Sequence, residues 1–148
     1  MAELIVKSSA FENNKLIPPK YTCDGDEVNP SLTIEGIPQG TKSIVLILDD
    51  PDAPRGTFDH WVVWNIPPTS KIEEHSIPGT EGLNSAGQAS YMGPCPPSGT
   101  HRYFFKVYAL DTKLVLHPNS TRKRDVEKAM HENILAKGEL MGLYKRDK

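Results

Sequence analysis

Apolar residues in this chain come in short runs, cut again and again by proline and glycine. The 13 prolines and 11 glycines are spread along the whole length, the punctuation expected of an all-β domain with long loops. The strongest run, Ser43 to Asp49, is almost wholly apolar (Ile44, Val45, Leu46, Ile47, Leu48) and reads as a strand buried on both faces. His60 to Ile66 is a second strand, rich in β formers (Trp61, Val62, Val63, Trp64). Tyr103 to Leu110 is the third and longest. Leu4 to Lys7, Ser31 to Ile34 and Leu140 to Tyr144 are weaker strand candidates. Only one segment has a helical period. Val126, Ala129, Met130, Asn133 and Ile134 recur at helical spacing with charge on the other face, predicting a helix over about 121–137. Ser120 or Thr121 is placed to cap it and Gly138 to end it, after which a last strand should return to a sheet edge.

Composition narrows the class. The 148 residues suit one domain, 1–148, with a core of its own. Hydrophobic content of 37% and charged content of 24% fit a globular chain, not a disordered one. A net charge of −2 gives no reason to expect a nucleic-acid partner, and no apolar run approaches the length needed to span a bilayer. The opening Met1–Lys7 lacks the basic-then-apolar pattern of an export signal, so a cytoplasmic protein is expected. In a reducing cytosol Cys23 and Cys95 are expected as free thiols.

The candidate chemistry gathers at strand ends. Between Pro94 and Pro97 three of four residues are proline, with fixed φ and no N–H, so Cys95 holds the only amide donor of a stiff wall. Just downstream, His101 and Tyr103 sit two apart and share one face of a strand. Asp50 continues the face of Ile44, Leu46 and Leu48 at the end of the first strong strand, within the acidic turn Asp49–Pro54. His60 opens the second strong strand and shares a face with Val62 and Trp64. Each group alone is more ordinarily a turn former or a satisfied core residue. Together at strand ends, they can converge on a pocket for an anion.

The motifs in order, Asp50-Pro51-Asp52-Ala53-Pro54, Asp59-His60-Trp61, and Gly93-Pro94-Cys95-Pro96-Pro97 with His101-Arg102-Tyr103, resemble those of the phosphatidylethanolamine-binding protein family, also called the Raf kinase inhibitor protein family. Tyr21-Thr22-Cys23-Asp24-Gly25 and Tyr108-Ala109-Leu110-Asp111 resemble its bacterial and archaeal branch. The resemblance implies a mainly β fold of two antiparallel sheets with Greek-key connections and one or two peripheral helices. It implies a small cavity for phosphate, phosphorylethanolamine, acetate or similar anions, lined by Asp50, His60, His101 and Tyr103 with Asp52 and Pro97 beside them, and with the Cys95 amide facing the anion. It also implies a cis Ala53–Pro54 peptide, no cofactor, a regulatory or inhibitory action on a kinase or protease, and pairing into homodimers.

Two other classes share these residues. Cys95, His60 or His101 and Asp50 are the residue types of a Cys-His-Asp hydrolase, but no nucleophile elbow accompanies them. His60, His101, Asp50 and Asp52 suit zinc by type, without tight metal spacing. The expectation is therefore a binding module rather than an enzyme, whose grip on anions rises as the pH falls through the histidine titration.

Overall fold

The structure, a computed structural model, describes residues 2–146. In chain order the strands are β1 (Ala2–Glu3), β2 (Ile5–Lys7), β3 (Leu32–Glu35), β4 (Ser43–Asp50), β5 (Phe58–Ile66), β6 (Lys71–Ile72), β7 (Thr80–Glu81), β8 (His101–Leu110) and β9 (Ile134–Tyr144). One helix, α1 (Lys123–Met130), lies between the last two strands. Six strands form one sheet in the order β1-β9-β8-β4-β5-β7, and three form a second in the order β2-β3-β6. In the larger sheet β4, β5 and β7 follow one another as antiparallel neighbours, and β8 returns to pair with the free side of β4. That is a Greek key. The fold is mainly β, as expected.

Alternation along the central strands divides the core in two. Ile44, Leu46 and Leu48 of β4 join Trp61, Val63, Phe105 and Val107 between the sheets, against Leu32, Ile34 and Ile72. Val45 and Ile47 point the other way, with Val62 and Trp64, and are covered by Val126 and Met130 of α1 and by Leu114. All eight positions of β4 are buried, which explains its unbroken apolar run. At its end the alternation continues in polar residues, so Asp49 falls on the helix side and Asp50 on the inter-sheet side. Asp49 ties the helix side together, accepting from Lys106 at 3.0 Å and Lys123 at 3.3 Å, while Lys123 also pairs with Asp59 at 3.0 Å. Burial works against the Lys123 charge, but the two carboxylates outweigh it and hold the ammonium above its ordinary pKa.

Several expectations are corrected. The helix is Lys123–Met130, not 121–137. Val126 and Met130 are buried as the period requires, but Ala129 is exposed. Ile134 begins β9, which pairs with β8 from Leu110↔Ile134 to His101↔Tyr144, so long-range pairing overrides the local helical period. Gly138 lies inside that strand, where a side chain would collide with the Leu4 carbonyl. The N-cap is Arg122, whose N–H donates to the Asp125 carboxylate at 2.9 Å, one half of a capping box. β9 is one strand in from the edge, because β1 pairs with it in parallel. No cis peptide occurs among the described residues, so Ala53–Pro54 is trans, the lower-energy isomer. Cys23 and Cys95 form a disulfide with Cα atoms 5.5 Å apart. Sequence spacing could not show this, because the two loops meet only through the fold. No helix among the described residues is long and apolar enough to cross a membrane.

Candidate functional site

The inter-sheet face delivers four side chains to one place. Asp50 ends β4, and His101 and Tyr103 open β8 on one face, as their spacing predicts. His60 arrives by a different route from that expected. Leu48 faces Trp61 and Asp49 faces Asp59, so the register skips one residue at His60. This β-bulge turns the imidazole away from the Val62 and Trp64 face toward the inter-sheet side. There His60 packs edge-on to Tyr103, ring centroids 5.4 Å apart, and lies 4.8 Å from Phe58. His101 stacks against the same tyrosine at 6.3 Å. Asp50, His60, His101 and Tyr103 are all buried.

Hydrogen bonds fix both imidazoles. His101 Nδ1 lies 2.7 Å from Asp50 Oδ2, and the Asp52 N–H donates to Asp50 Oδ1 at 2.7 Å. His60 Nδ1 lies 2.8 Å from the Met92 carbonyl, and the Met92 N–H donates back to the His60 carbonyl at 3.1 Å. Burial lowers the His60 pKa, although the Met92 carbonyl and the charges of Asp50, Asp59 and Asp49 pull the other way. The Tyr103 hydroxyl is buried and makes no hydrogen bond of good geometry. Burial, then the charge and the hydrogen bonding of the Asp50 carboxylate beside it, push its pKa far above the ordinary value, while the neighbouring Cys95 backbone N–H opposes them. The amide and the phenol therefore do meet.

The wall that carries this amide is stapled from behind. Besides the disulfide, the Cys23 N–H donates to the Pro94 carbonyl at 3.1 Å and the Tyr91 hydroxyl to the Tyr21 carbonyl at 2.7 Å. The Gly93 N–H donates to Glu27 at 3.1 Å. A Cβ on Gly93 would stand 2.6 Å from the Tyr21 carbonyl oxygen, so only glycine allows this approach.

Two expected site residues stand apart from the buried group. The Asp52 carboxylate accepts from the Arg102 N–H, Nε and Nη2 at 2.9, 2.9 and 2.8 Å. The Arg102 bonds hold its carboxyl at about 2, well below the usual range. It is a rim residue already satisfied by the protein. Pro97 is exposed on the wall loop. Phe58, the Met92 carbonyl and the Arg102 partner of Asp52 went unassigned in the sequence. The only signal for Phe58 is its place two residues before His60, and Met92 acts through its backbone. Among the described residues no group of three or more His, Cys, Asp or Glu side chains is arranged to hold a metal ion.

A Greek-key β fold with a buried Asp, two imidazoles and a phenol beside a proline-walled amide defines a class, and the comparisons name it. The phosphatidylethanolamine-binding protein family model matches residues 7–145, and this chain belongs to that family. It is 51% identical over 155 residues to a UPF0098 protein of Pyrococcus abyssi, covering 97% of this chain and 86% of that protein. It is 46% identical to a UPF0098 protein of Methanothermobacter thermautotrophicus, covering 95% and 98%. A crystal structure from Chlamydia trachomatis, described as a homologue of phosphatidylethanolamine-binding protein, superposes with a TM-score of 0.94 at 39% identity, over 99% of this chain and 100% of that one. E. coli YbcL superposes with a TM-score of 0.89 at 30% identity, over 99% and 100%.

Proposed function

We propose that this chain is a small-anion receiver whose ligand is a phosphate group held among Tyr103, the Cys95 amide, His60 and His101. The observation that carries the reading is the Tyr103 hydroxyl, buried without a hydrogen bond of good geometry although the Asp50 carboxylate and the Cys95 N–H stand beside it. Such a group costs roughly 1–3 kcal/mol, and an anion accepting its hydrogen recovers that loss. The adjacent Cys95 N–H supplies a second donor, and bonds to a charged acceptor are about twice as strong as neutral ones. Asp50 holds His101 in place through Nδ1.

We read the chain as a binding and regulatory module, of the kind that acts on a kinase or protease, rather than a hydrolase. In its support, the Cys95 sulfur belongs to a disulfide and is no thiolate nucleophile while the bridge stands. Titration calorimetry with inorganic phosphate tests the reading. One phosphate per chain is expected, with affinity lowered at least about tenfold in His60→Ala, the loss of one charge-assisted bond. Equal binding by the wild type and His60→Ala, or none by either, would refute it.

A further inference from the structure

Cys95 faces two ways. Its backbone N–H stands beside the Tyr103 hydroxyl inside the site. The residue is nevertheless exposed to solvent, and its sulfur is bridged to the half-buried Cys23. The hydrogen bonds that staple the wall all fall before it, at the Tyr91 hydroxyl, the Gly93 N–H and the Pro94 carbonyl. From Cys95 to Thr100, among the described residues, no hydrogen bond of good geometry ties the chain to another segment. Pro96 is buried, but Pro97, Ser98, Gly99 and Thr100 are exposed. Gly99 turns through a φ of 68° with open space around it. Between Pro94 and the start of β8, the disulfide is therefore the tether that fixes where the Cys95 amide points. Access to solvent is what opens a disulfide to exchange with an incoming thiolate.

Resting on the anion-receiver reading, we propose that the Cys23–Cys95 bridge is a redox site, opened by a dithiol reductant, that sets the affinity of the anion pocket. With the bridge closed, the sulfur holds Cys95 and keeps its N–H aimed at the anion. With the bridge open, that donor is free to move, because the same residue carries both groups. One thiolate of the reductant attacks Cys95 Sγ, on the more exposed of the two residues, and Cys23 leaves as a thiolate that takes up a proton. The second thiolate of the reductant then attacks the mixed disulfide at the reductant's own sulfur and releases Cys95, which is protonated in turn. The chain gains two electrons and two protons, and the dithiol leaves as a disulfide. The rest of the site keeps its own supports. His60 stays on the Met92 carbonyl and His101 on Asp50, and the strands that carry them pair without the bridge. Reduction therefore weakens the grip on the anion by about one donor and leaves the fold in place.

Calorimetry with inorganic phosphate tests this on the oxidised wild-type chain, on the same chain in excess dithiothreitol, and again after reoxidation. A thiol-counting reagent identifies each state, with no free thiol in the oxidised chain and the pair Cys23 and Cys95 in the reduced one. Dithiothreitol should open the bridge without denaturant and leave the circular dichroism of the β fold unchanged. Phosphate binding should weaken about tenfold, the worth of one hydrogen bond to a charged partner, and recover on reoxidation. Cys23→Ser with Cys95→Ser should bind like the reduced chain and ignore dithiothreitol. Equal phosphate affinity in the two redox states would overturn the redox control and leave the anion receiver standing. A bridge that opens only in denaturant, or a chain that unfolds when it opens, would also overturn the control, since the bridge would then be a staple of the whole fold. Phosphate binding in neither state would overturn both readings.

Discussion

Tyr103 is wholly buried, and its hydroxyl makes no hydrogen bond of good geometry although the Asp50 carboxylate and the Cys95 N–H stand beside it. A group in that state weakens the empty fold and strengthens a complex, so stability and binding should part company when it is removed. Tyr103→Phe keeps the ring packed between the two imidazoles. It is expected to raise the unliganded protein's stability by about 1 kcal/mol and to weaken phosphate binding about tenfold. Paired thermal melts and titrations check this, and a lower melting temperature together with unchanged affinity would contradict it. His60 adds a pH signature. Its pKa in the folded chain lies below the ordinary value of about 6.5, so the unfolded chain binds the extra proton first. Its contribution to stability is whole above about pH 6.5 and declines as the pH falls toward the folded value. His60→Gln should flatten the melting profile in that window. The Asp52 contribution, whose pKa is lowered to about 2, is lost between its ordinary 3.8 and that value.

At the scale of elements, the site depends on one bulge and one wall. Without the skipped residue at His60, strict alternation would send the imidazole to the helix side, toward Lys123 and Asp49. The bulge has no glycine or proline to announce it, so the face of His60 was not legible in the sequence, although its place at a strand end was. The wall was legible in its stiffness, because prolines declare themselves, but not in what holds it. The Cys23–Cys95 bridge spans 72 positions and joins two loops with no local relation. Closing a loop of that size restricts the unfolded chain, and Cys23→Ser with Cys95→Ser should lower stability by about 2–4 kcal/mol. Because the bridge backs the Cys95 amide, phosphate affinity should fall with it. Denaturant melts and titrations of the double variant, with an unmoved midpoint and unmoved affinity, would show that the bridge supports neither.

In the whole molecule, the larger sheet separates two polar groups that begin from adjacent residues. Asp49 turns outward to clamp α1 through Lys123, and Asp50 turns inward to orient His101. The fold class, the three strong strands and the placement of Asp50, His60, His101 and Tyr103 at strand ends could be read from the chain. Buried strands show as apolar runs, and polar residues at their ends stand out against them. The helix was overread because Asn133 and Ile134 continue its period, while the pairing of β9 with β8, invisible in any local window, claims Ile134. The same strand pairing brings the ends of β4, β5 and β8 side by side, and every functional statement above depends on that convergence. A crystal soaked in inorganic phosphate tests it most directly. The account predicts one phosphate within hydrogen-bond reach of Tyr103 Oη, the Cys95 amide and the Nε2 atoms of His60 and His101. A site left empty at saturating phosphate, or a phosphate bound only elsewhere on the surface, would contradict it.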